Sequence, residues 1–217
     1  MTSCLGLYVE SNIIKYAKIS KDRDNLKVES FGLKFYDKLG EAIKQIISET
    51  YSFKVPVSIN LADEVYNYFY MFSMLNKKDL KKAIETEYES YCTEKGLNKN
   101  AVDTRYALVN SLSDKDRVKV IHVAANKNNL NAIEQQLAEN KIAAISPIGM
   151  TIANIAKMKQ KENIAIINME DKTTITIIVN QKVYSVDTIE NGTSEVLDSI
   201  NAKENSYSKA YEICKNS

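Results

Sequence analysis

The chain has 217 residues, with 29 Lys or Arg against 28 Asp or Glu, and a formal net charge of +1 at pH 7. This length suits one large domain or two small ones, and the interspersed charges argue against a nucleic-acid surface. Three cysteines without a Cys-x-x-Cys pair, and the lack of an N-terminal signal segment, predict a reducing, cytoplasmic location. No apolar run approaches the roughly 18 residues that span a bilayer, so we expect membrane association only through a partner.

Residues 1–61 predict one compact unit of strands and a helix. Apolar runs on either side of a polar turn at Glu10 predict two strands, and residues 26–34 a third. A helix is predicted over about 40–51, where apolar residues recur at helical spacing, and a strand over 55–61, with Pro56 near its start. The order strand, strand, strand, helix, strand is that of one core subdomain of the actin-like fold.

Residues 62–145 are predicted to form an inserted small α/β subdomain. Its first strand, 64–72, carries Tyr66, Tyr68 and Tyr70 on one face. This tyrosine row is typical of a packed, half-buried strand, and a partner-binding face is the functional alternative.

The rest of the insertion predicts two helices and three strands. Asn76 and Asn126 are expected to cap the helices. Strands are predicted over 103–111, 118–125 and 142–145, with a charged turn at 113–116. The only histidine, His122, lies in an apolar strand and has no second His for a metal pair, so we expect a structural or edge-strand role.

Residues 146–217 predict a linking helix and the start of a second core subdomain, with the remainder of that half missing. Ser146 and Pro147 are in the preferred order for a helix cap and first helical residue. A second strand, turn, strand unit follows over 164–178, then a turn at 180–181, a strand at 182–186 and a helical passage at 208–215.

The two strand, turn, strand units predict an α/β protein with an actin-like (ribonuclease H-like) core, a fold in which each turn binds phosphate. The candidate phosphate positions are Glu10, Ser11, Asn12, Lys15, Glu170, Asp171, Thr173, Thr174 and Gly192. Backbone binding of phosphate favours Gly, but a glutamate stands in each turn and would repel a triphosphate unless a metal or base intervened. We therefore expect no cofactor and little or no ATP hydrolysis, although ATP with Mg²⁺ is the ligand that the fold would take.

The adjacent pair Glu170 and Asp171 also invites interpretation as a metal or acid–base site. Neighbouring side chains in an extended segment point to opposite faces, so a solvated turn is the better prediction. No Ser–His or Cys–His constellation that would indicate a nucleophilic hydrolase is evident in the sequence.

Several short segments of the sequence match the pattern of a known protein family. Residues of the first strand and turn follow a family pattern, as does Ala124-Ala125-Asn126-Lys127 at the end of a strand and Ile189-Glu190-Asn191-Gly192 at a turn. The matching residues of the first turn region are Leu5, Gly6, Leu7, Val9, Ser11, Ile14 and Lys15. In this order and spacing, the strings resemble the PilM family, the actin-like cytoplasmic proteins of type IV pilus assembly.

The chain departs from that family at the phosphate turns. Tyr8 stands where the family has an Asp that orients magnesium and water, and Glu10 where it has a Gly. In the second turn, Asn168-Met169-Glu170 replaces Asp-x-Gly. These departures predict loss of the nucleotide site.

The resemblance implies a cytoplasmic scaffold at the inner face of the cell membrane. Its partner would be the cytoplasmic tail of a PilN-like membrane protein, bound in a groove between the first core subdomain and the insertion, with Tyr66, Tyr68 and Tyr70 as candidate contacts. A pilus motor ATPase or platform protein is a further candidate partner. The alternatives are a nucleotide-binding actin-like ATPase, or an FtsA-like filament or membrane-tethering protein, which would require an amphipathic membrane helix.

Overall fold

The computed structural model describes residues 2–23, 25–61, 63–110, 115–137, 139–159 and 162–216. The described strands form three sheets.

The first sheet has the strand order β3-β2-β1-β4-β8. Its strands are Thr2–Val9 (β1), Ile13–Asp22 (β2), Asn25–Phe35 (β3), Val57–Leu61 (β4) and Ile142–Pro147 (β8), and Leu39–Glu49 (α1) precedes β4. β1 is antiparallel to β2 and parallel to β4, as an actin-like core requires. The helical spacing predicted for α1 is confirmed, since Ile43 and Ile46 are fully buried against Leu5 and Ile14.

The second sheet, ordered β5-β7-β6, is the core of the insertion. It contains Val65–Phe72 (β5), Val102–Asn110 (β6) and Arg117–Asn126 (β7), with Lys77–Lys95 (α2) packed on one face and Lys127–Gln136 (α3) following β7. Both predicted asparagine caps are confirmed: the Asn76 side chain accepts from the N–H groups of Lys78 and Asp79, and Asn126 accepts from Asn128. The predicted charged turn at 113–116 lies partly outside the described residues.

His122 lies on the central strand of this sheet rather than on an edge. Its side chain is buried beside the Tyr88 ring, with a centroid distance of 4.1 Å. Burial lowers the pKa of His122 to about 4, so the imidazole is neutral at physiological pH. This environment is that of a packed structural residue.

Two features at the end of the insertion differ from the sequence prediction. β8 does not belong to the inserted sheet, because it pairs in parallel with β4, and Leu137 packs into the first core. β8 also continues through Pro147, so Ser146 pairs with Asn60 in the sheet and does not cap a helix. The N–H of Ile148 instead donates to a carboxylate oxygen of Glu64 at 2.7 Å, which replaces the predicted local cap.

The third sheet has the order β11-β10-β9 and is antiparallel. Two short helices, Ile148–Ile152 (α4) and Asn154–Met158 (α5), lead to Ile164–Met169 (β9), Thr173–Val179 (β10) and Lys182–Ile189 (β11). The predicted tight turn between β10 and β11 is present, with positive φ at both Asn180 and Gln181, as a type I′ hairpin turn requires. The chain continues in Ser194–Glu204 (α6), which the sequence did not predict, and Tyr207–Lys215 (α7).

Among the described residues, no helix combines the length and the apolar character needed to cross a bilayer.

Candidate functional site

The turn after β1 and the turn after β9 contact each other directly. The backbone N–H and the hydroxyl of Ser11 both donate to Oδ2 of Asp171, at 2.6 and 2.8 Å. Nζ of Lys15 donates to Oε2 of Glu170 at 2.6 Å. The prediction of a solvated turn for Glu170 and Asp171 is therefore wrong, because both carboxylates are bound by the first turn.

Lys15 is shared by two glutamates. Its Nζ also lies 2.8 Å from Oε1 of Glu10, whose side chain is only 8% exposed. Burial raises the pKa of Glu10 to about 7; the bond with Lys15 opposes this shift, and a bond with Glu170 adds to it. Burial by itself lowers the pKa of Lys15, but the bonds with Glu10 and Glu170 outweigh it and raise that pKa. The lysine is therefore a permanent cation between two acidic groups.

Two tyrosines fix the first turn. The Tyr8 hydroxyl accepts from Nδ2 of Asn168 at 3.0 Å, and this bond joins the two turns. Burial raises the pKa of Tyr8 to about 12, so the phenol stays protonated. The Tyr36 hydroxyl donates to the carbonyl of Glu10, and the Tyr36 N–H donates to the carbonyl of Asn12 at 3.1 Å.

The other candidate phosphate residues support the second turn internally. The N–H and hydroxyl of Thr173 donate to the carbonyl of Asn191 at 3.1 and 2.8 Å, and Thr174 is buried. At Gly192, a Cβ atom would lie 1.9 Å from the carbonyl oxygen of Glu170. Glycine is needed there because the segment after β11 passes directly against the backbone of the turn.

The two turns form part of the wall of a cavity of about 350 Å³. Six carboxylates line it: Glu10, Asp63, Glu64, Glu170, Asp171 and Glu190. The cation Lys172 is also in the wall, 2.9 Å from Glu190. Asp63, Glu64 and Glu190 were not among the predicted site residues, since only the folded chain brings them to the turns. Among the described residues, no cluster of three or more His, Cys, Asp or Glu is arranged to hold a metal ion.

The tyrosine row is largely used inside the molecule. The Tyr68 hydroxyl donates to the carbonyl of Val186 at 2.6 Å and accepts from its N–H at 2.7 Å. Tyr66 packs in the same cluster as Met150 and Val183, whereas Tyr70 is 48% exposed. The row therefore joins the insertion to the third sheet, and its predicted contact with a partner stays a prediction, with Tyr70 as the accessible member.

Nζ of Lys119 lies between two aromatic rings at the same junction. It is 4.4 Å from the ring centroid of Tyr68 on β5 and 4.0 Å from that of Tyr184 on β11. Cation–π contacts of this kind are strongest when the cation is removed from water, and Lys119 is only 6% exposed. The third sheet is thus attached to the insertion by both hydrogen bonds and cation–π contacts.

A mainly apolar groove of about 460 Å³ runs between the insertion and the first core. One wall is β6, which pairs with β7 alone among the described strands and so lies at the edge of its sheet. The apolar residues of the groove are Leu61, Ala107, Val123, Ala125, Leu130, Ile145, Pro147 and Met150. Its charged residues are Asp103, Arg105 and Glu134, and Arg105 lies 3.1 Å from Asp103. This is the boundary at which the family resemblance located a partner groove.

Comparison with known proteins places these features in a known architecture. No protein-family model matches the chain, and no curated protein matches it in sequence. Among solved structures, it is similar to one titled as the PilM–PilN type IV pilus biogenesis complex, with a TM-score of 0.73 and 15% identity over 97% of this chain and 68% of that one. The chain has the actin-like fold.

Two further structures are similar. One is the cytoplasmic domain of EpsL, an inner-membrane component of the type II secretion system of Vibrio cholerae, with a TM-score of 0.61 and 12% identity over 90% of this chain and 74% of that one. The other is the ethanolamine utilization protein EutJ of Carboxydothermus hydrogenoformans, with a TM-score of 0.52 and 10% identity over 99% and 62%. At these identities the similarity establishes the fold, as predicted from the sequence.

In an actin-like fold, the two turns described above bind the phosphates of a nucleotide. The residues in these turns do not suit phosphate binding. The donors of Ser11 and Lys15 are engaged by Asp171 and Glu170. The charged groups in the wall of the adjoining cavity are six carboxylates and one lysine, and this excess of negative charge repels a triphosphate. No step of nucleotide chemistry follows from this arrangement.

Proposed function

We propose that this protein is a non-hydrolysing scaffold of a type IV pilus or type II secretion machine, and that it binds an extended cytoplasmic segment of an inner-membrane protein of the PilN type. The observation that carries the proposal is the groove beside β6, which combines an unpaired strand edge with an apolar floor. The similarity in fold to a chain of the PilM–PilN type IV pilus biogenesis complex and to the cytoplasmic domain of EpsL supports this assignment.

The groove suits an extended peptide for a physical reason. An edge strand offers free backbone N–H and C=O groups, so an added strand gains hydrogen bonds along its length. Alternate side chains of the peptide then face the floor, where Leu130, Ile145 and Met150 supply apolar contact. The partner segment would therefore alternate apolar and polar residues, and its binding would hold the protein at the inner face of the membrane.

The compared structures do not support a motor ATPase or a platform protein as a direct partner. The proposal is therefore restricted to the membrane-protein tail.

Calorimetric titration tests the proposal. Synthetic N-terminal cytoplasmic peptides of PilN-like proteins from the same genome are titrated into the intact protein, and Mg-ATP is titrated separately. We expect peptide binding with a negative heat-capacity change and no saturable ATP binding. Tight ATP binding with phosphate release, or no binding by any peptide, would contradict the proposal.

A matched pair of variants locates the binding site. Ala107→Arg places a long charged side chain in the groove at an exposed position of β6, and we expect it to weaken peptide binding at least roughly tenfold, equivalent to about 1.4 kcal/mol. Ser90→Arg makes a similar change at an exposed position of α2, outside the groove residues. Equal peptide affinities of the two variants would exclude this groove.

A further inference from the structure

The first turn has the chemistry of an anion site. Its three donors are a backbone N–H, a hydroxyl and an ammonium group, supplied by Ser11 and Lys15. These are the groups that bind phosphate oxygens in proteins, and a turn of this kind can aim them at one small region. In this molecule all three are satisfied by oxygen atoms of the second turn, at 2.6 to 2.8 Å.

The two acidic side chains divide the donors between them. One oxygen of Asp171 accepts both bonds from Ser11, as a single phosphate oxygen would. Glu170 takes the ammonium of Lys15. Two consecutive carboxylates on one turn thus occupy the positions that a bound oxyanion would need.

We propose that Glu170 and Asp171 are an internal ligand, which fills an anion-binding site on the first turn and latches the first and third sheets together without any bound small molecule. The neutral bond between Asn168 and Tyr8 lies in the same contact and strengthens the latch. The side chain of Glu170 is 22% exposed, so the ion pair is screened by salt less than a fully exposed pair.

The latch accounts for three departures from the family pattern, at Tyr8, Asn168 and Glu170. Glu170, together with Asp171, supplies the negative charge that nucleotide would bring, and Tyr8 and Asn168 bond each other where the pattern has two aspartates. Gly192, which matches the pattern, allows the segment after β11 to support the turn. The contact between the two turns is then made by the polypeptide itself and does not depend on nucleotide concentration.

Removing the internal ligand should uncover the anion site. In the full chain, the double variant Glu170→Ala, Asp171→Ala frees both donors of Ser11, leaves Lys15 paired with Glu10, and removes two negative charges. Inorganic triphosphate is titrated by calorimetry, and the amide signals of Ser11 and Asn12 are followed by NMR. We expect the variant to bind triphosphate at least roughly tenfold more tightly than the unmodified protein, with shifts at both amides.

The control variant is Asp63→Asn, Glu64→Gln. Both residues line the same cavity, so this variant makes the same change in charge. The amide oxygens keep the acceptors for Asn129 and Ile148, and the bonds between the turns stay intact. We expect it to bind triphosphate as weakly as the unmodified protein. Equal gains in the two variants would show a general charge effect and would overturn the proposal, as would a folded Glu170, Asp171 variant without any gain.

A second measurement keeps the latch testable if the double variant does not fold. In the single variant Asp171→Ala, the N–H of Ser11 loses its acceptor, so its hydrogen exchange should become at least roughly tenfold faster, as expected for local opening. Unchanged exchange at Ser11 would overturn the latch. Neither experiment depends on the peptide groove, so failure here leaves the proposed scaffold function standing, and loss of peptide binding leaves the latch standing.

Discussion

Glu10 is a buried carboxyl group beside a second carboxylate, and this determines how it responds to pH. Its pKa is raised to about 7 in the folded protein from 4.5 in the absence of these interactions. The folded state therefore holds the proton more tightly than the unfolded chain does. The resulting stabilisation is complete below pH 4.5 and is lost as the pH rises through 7.

The variant Glu10→Gln should remove this pH dependence. Between pH 5 and pH 8 the unmodified protein is expected to lose about 2–3 kcal/mol of unfolding free energy through Glu10, and the variant should lack this loss. Urea unfolding at both pH values measures it. His122 titrates in the opposite sense, but it is present in both proteins, so their difference isolates Glu10. Parallel pH profiles for the two proteins would show that the Glu10 carboxyl is not perturbed.

At the scale of elements, the second turn depends on close approach by the segment that follows β11. The N–H of Thr193 donates to the carbonyl of Glu170 at 2.7 Å, which requires a residue without a side chain at Gly192. A Cβ atom there would meet backbone atoms, which cannot rotate away as a side chain can.

The variant Gly192→Ala should therefore displace the turn and destabilise the protein by about 2–4 kcal/mol, with faster hydrogen exchange over residues 170–173. Gly40→Ala is the control, because a Cβ at Gly40 meets no atom within 4 Å and the residue lies in α1. That change should be neutral or stabilising by up to about 1 kcal/mol. Similar losses in the two variants, measured by urea unfolding, would refute the close-approach argument.

At the scale of the whole molecule, the third sheet is held from two sides. The latch joins it to the first sheet through Lys15 and Glu170, and the tyrosine row joins it to the insertion through Tyr68 and Val186. The peptide groove lies between the insertion and the first core. The polar contacts at these two places act together with the apolar cluster that contains Tyr66, Met150 and Val183.

Removing the Tyr68 hydroxyl tests the second attachment. Tyr68→Phe leaves the N–H and carbonyl of the buried Val186 without their partner, so we expect a loss of about 1–3 kcal/mol in unfolding free energy. Tyr70→Phe, at the exposed end of the same row, should change it by less than about 0.5 kcal/mol. Thermal and urea unfolding of both variants decide the matter, and equal effects would mean that the Tyr68 hydroxyl does not join the sheets.

The sequence by itself determined the features that depend on neighbours in the chain. Apolar spacing predicted α1, alternation and turns predicted the hairpins, and asparagine caps marked the starts of α2 and α3. The repeated strand, turn, strand unit was sufficient to predict the actin-like fold. The sequence did not predict the helix α6, whose N-cap residue Thr193 makes no side-chain capping bond.

Only the tertiary structure decided which residues meet across the chain. Glu64 caps α4 from 84 positions away, β8 joins the first sheet and not the inserted one, and the acidic pair of the second turn is bound by Ser11 and Lys15 from about 160 positions away. Local sequence patterns do not reveal such partners. An acidic residue in a turn looks the same in the sequence whether its carboxylate is solvated or fills an anion site. Packing of the sheets therefore determines what the two turns bind, because it brings the donors of the first turn into contact with the acceptors of the second.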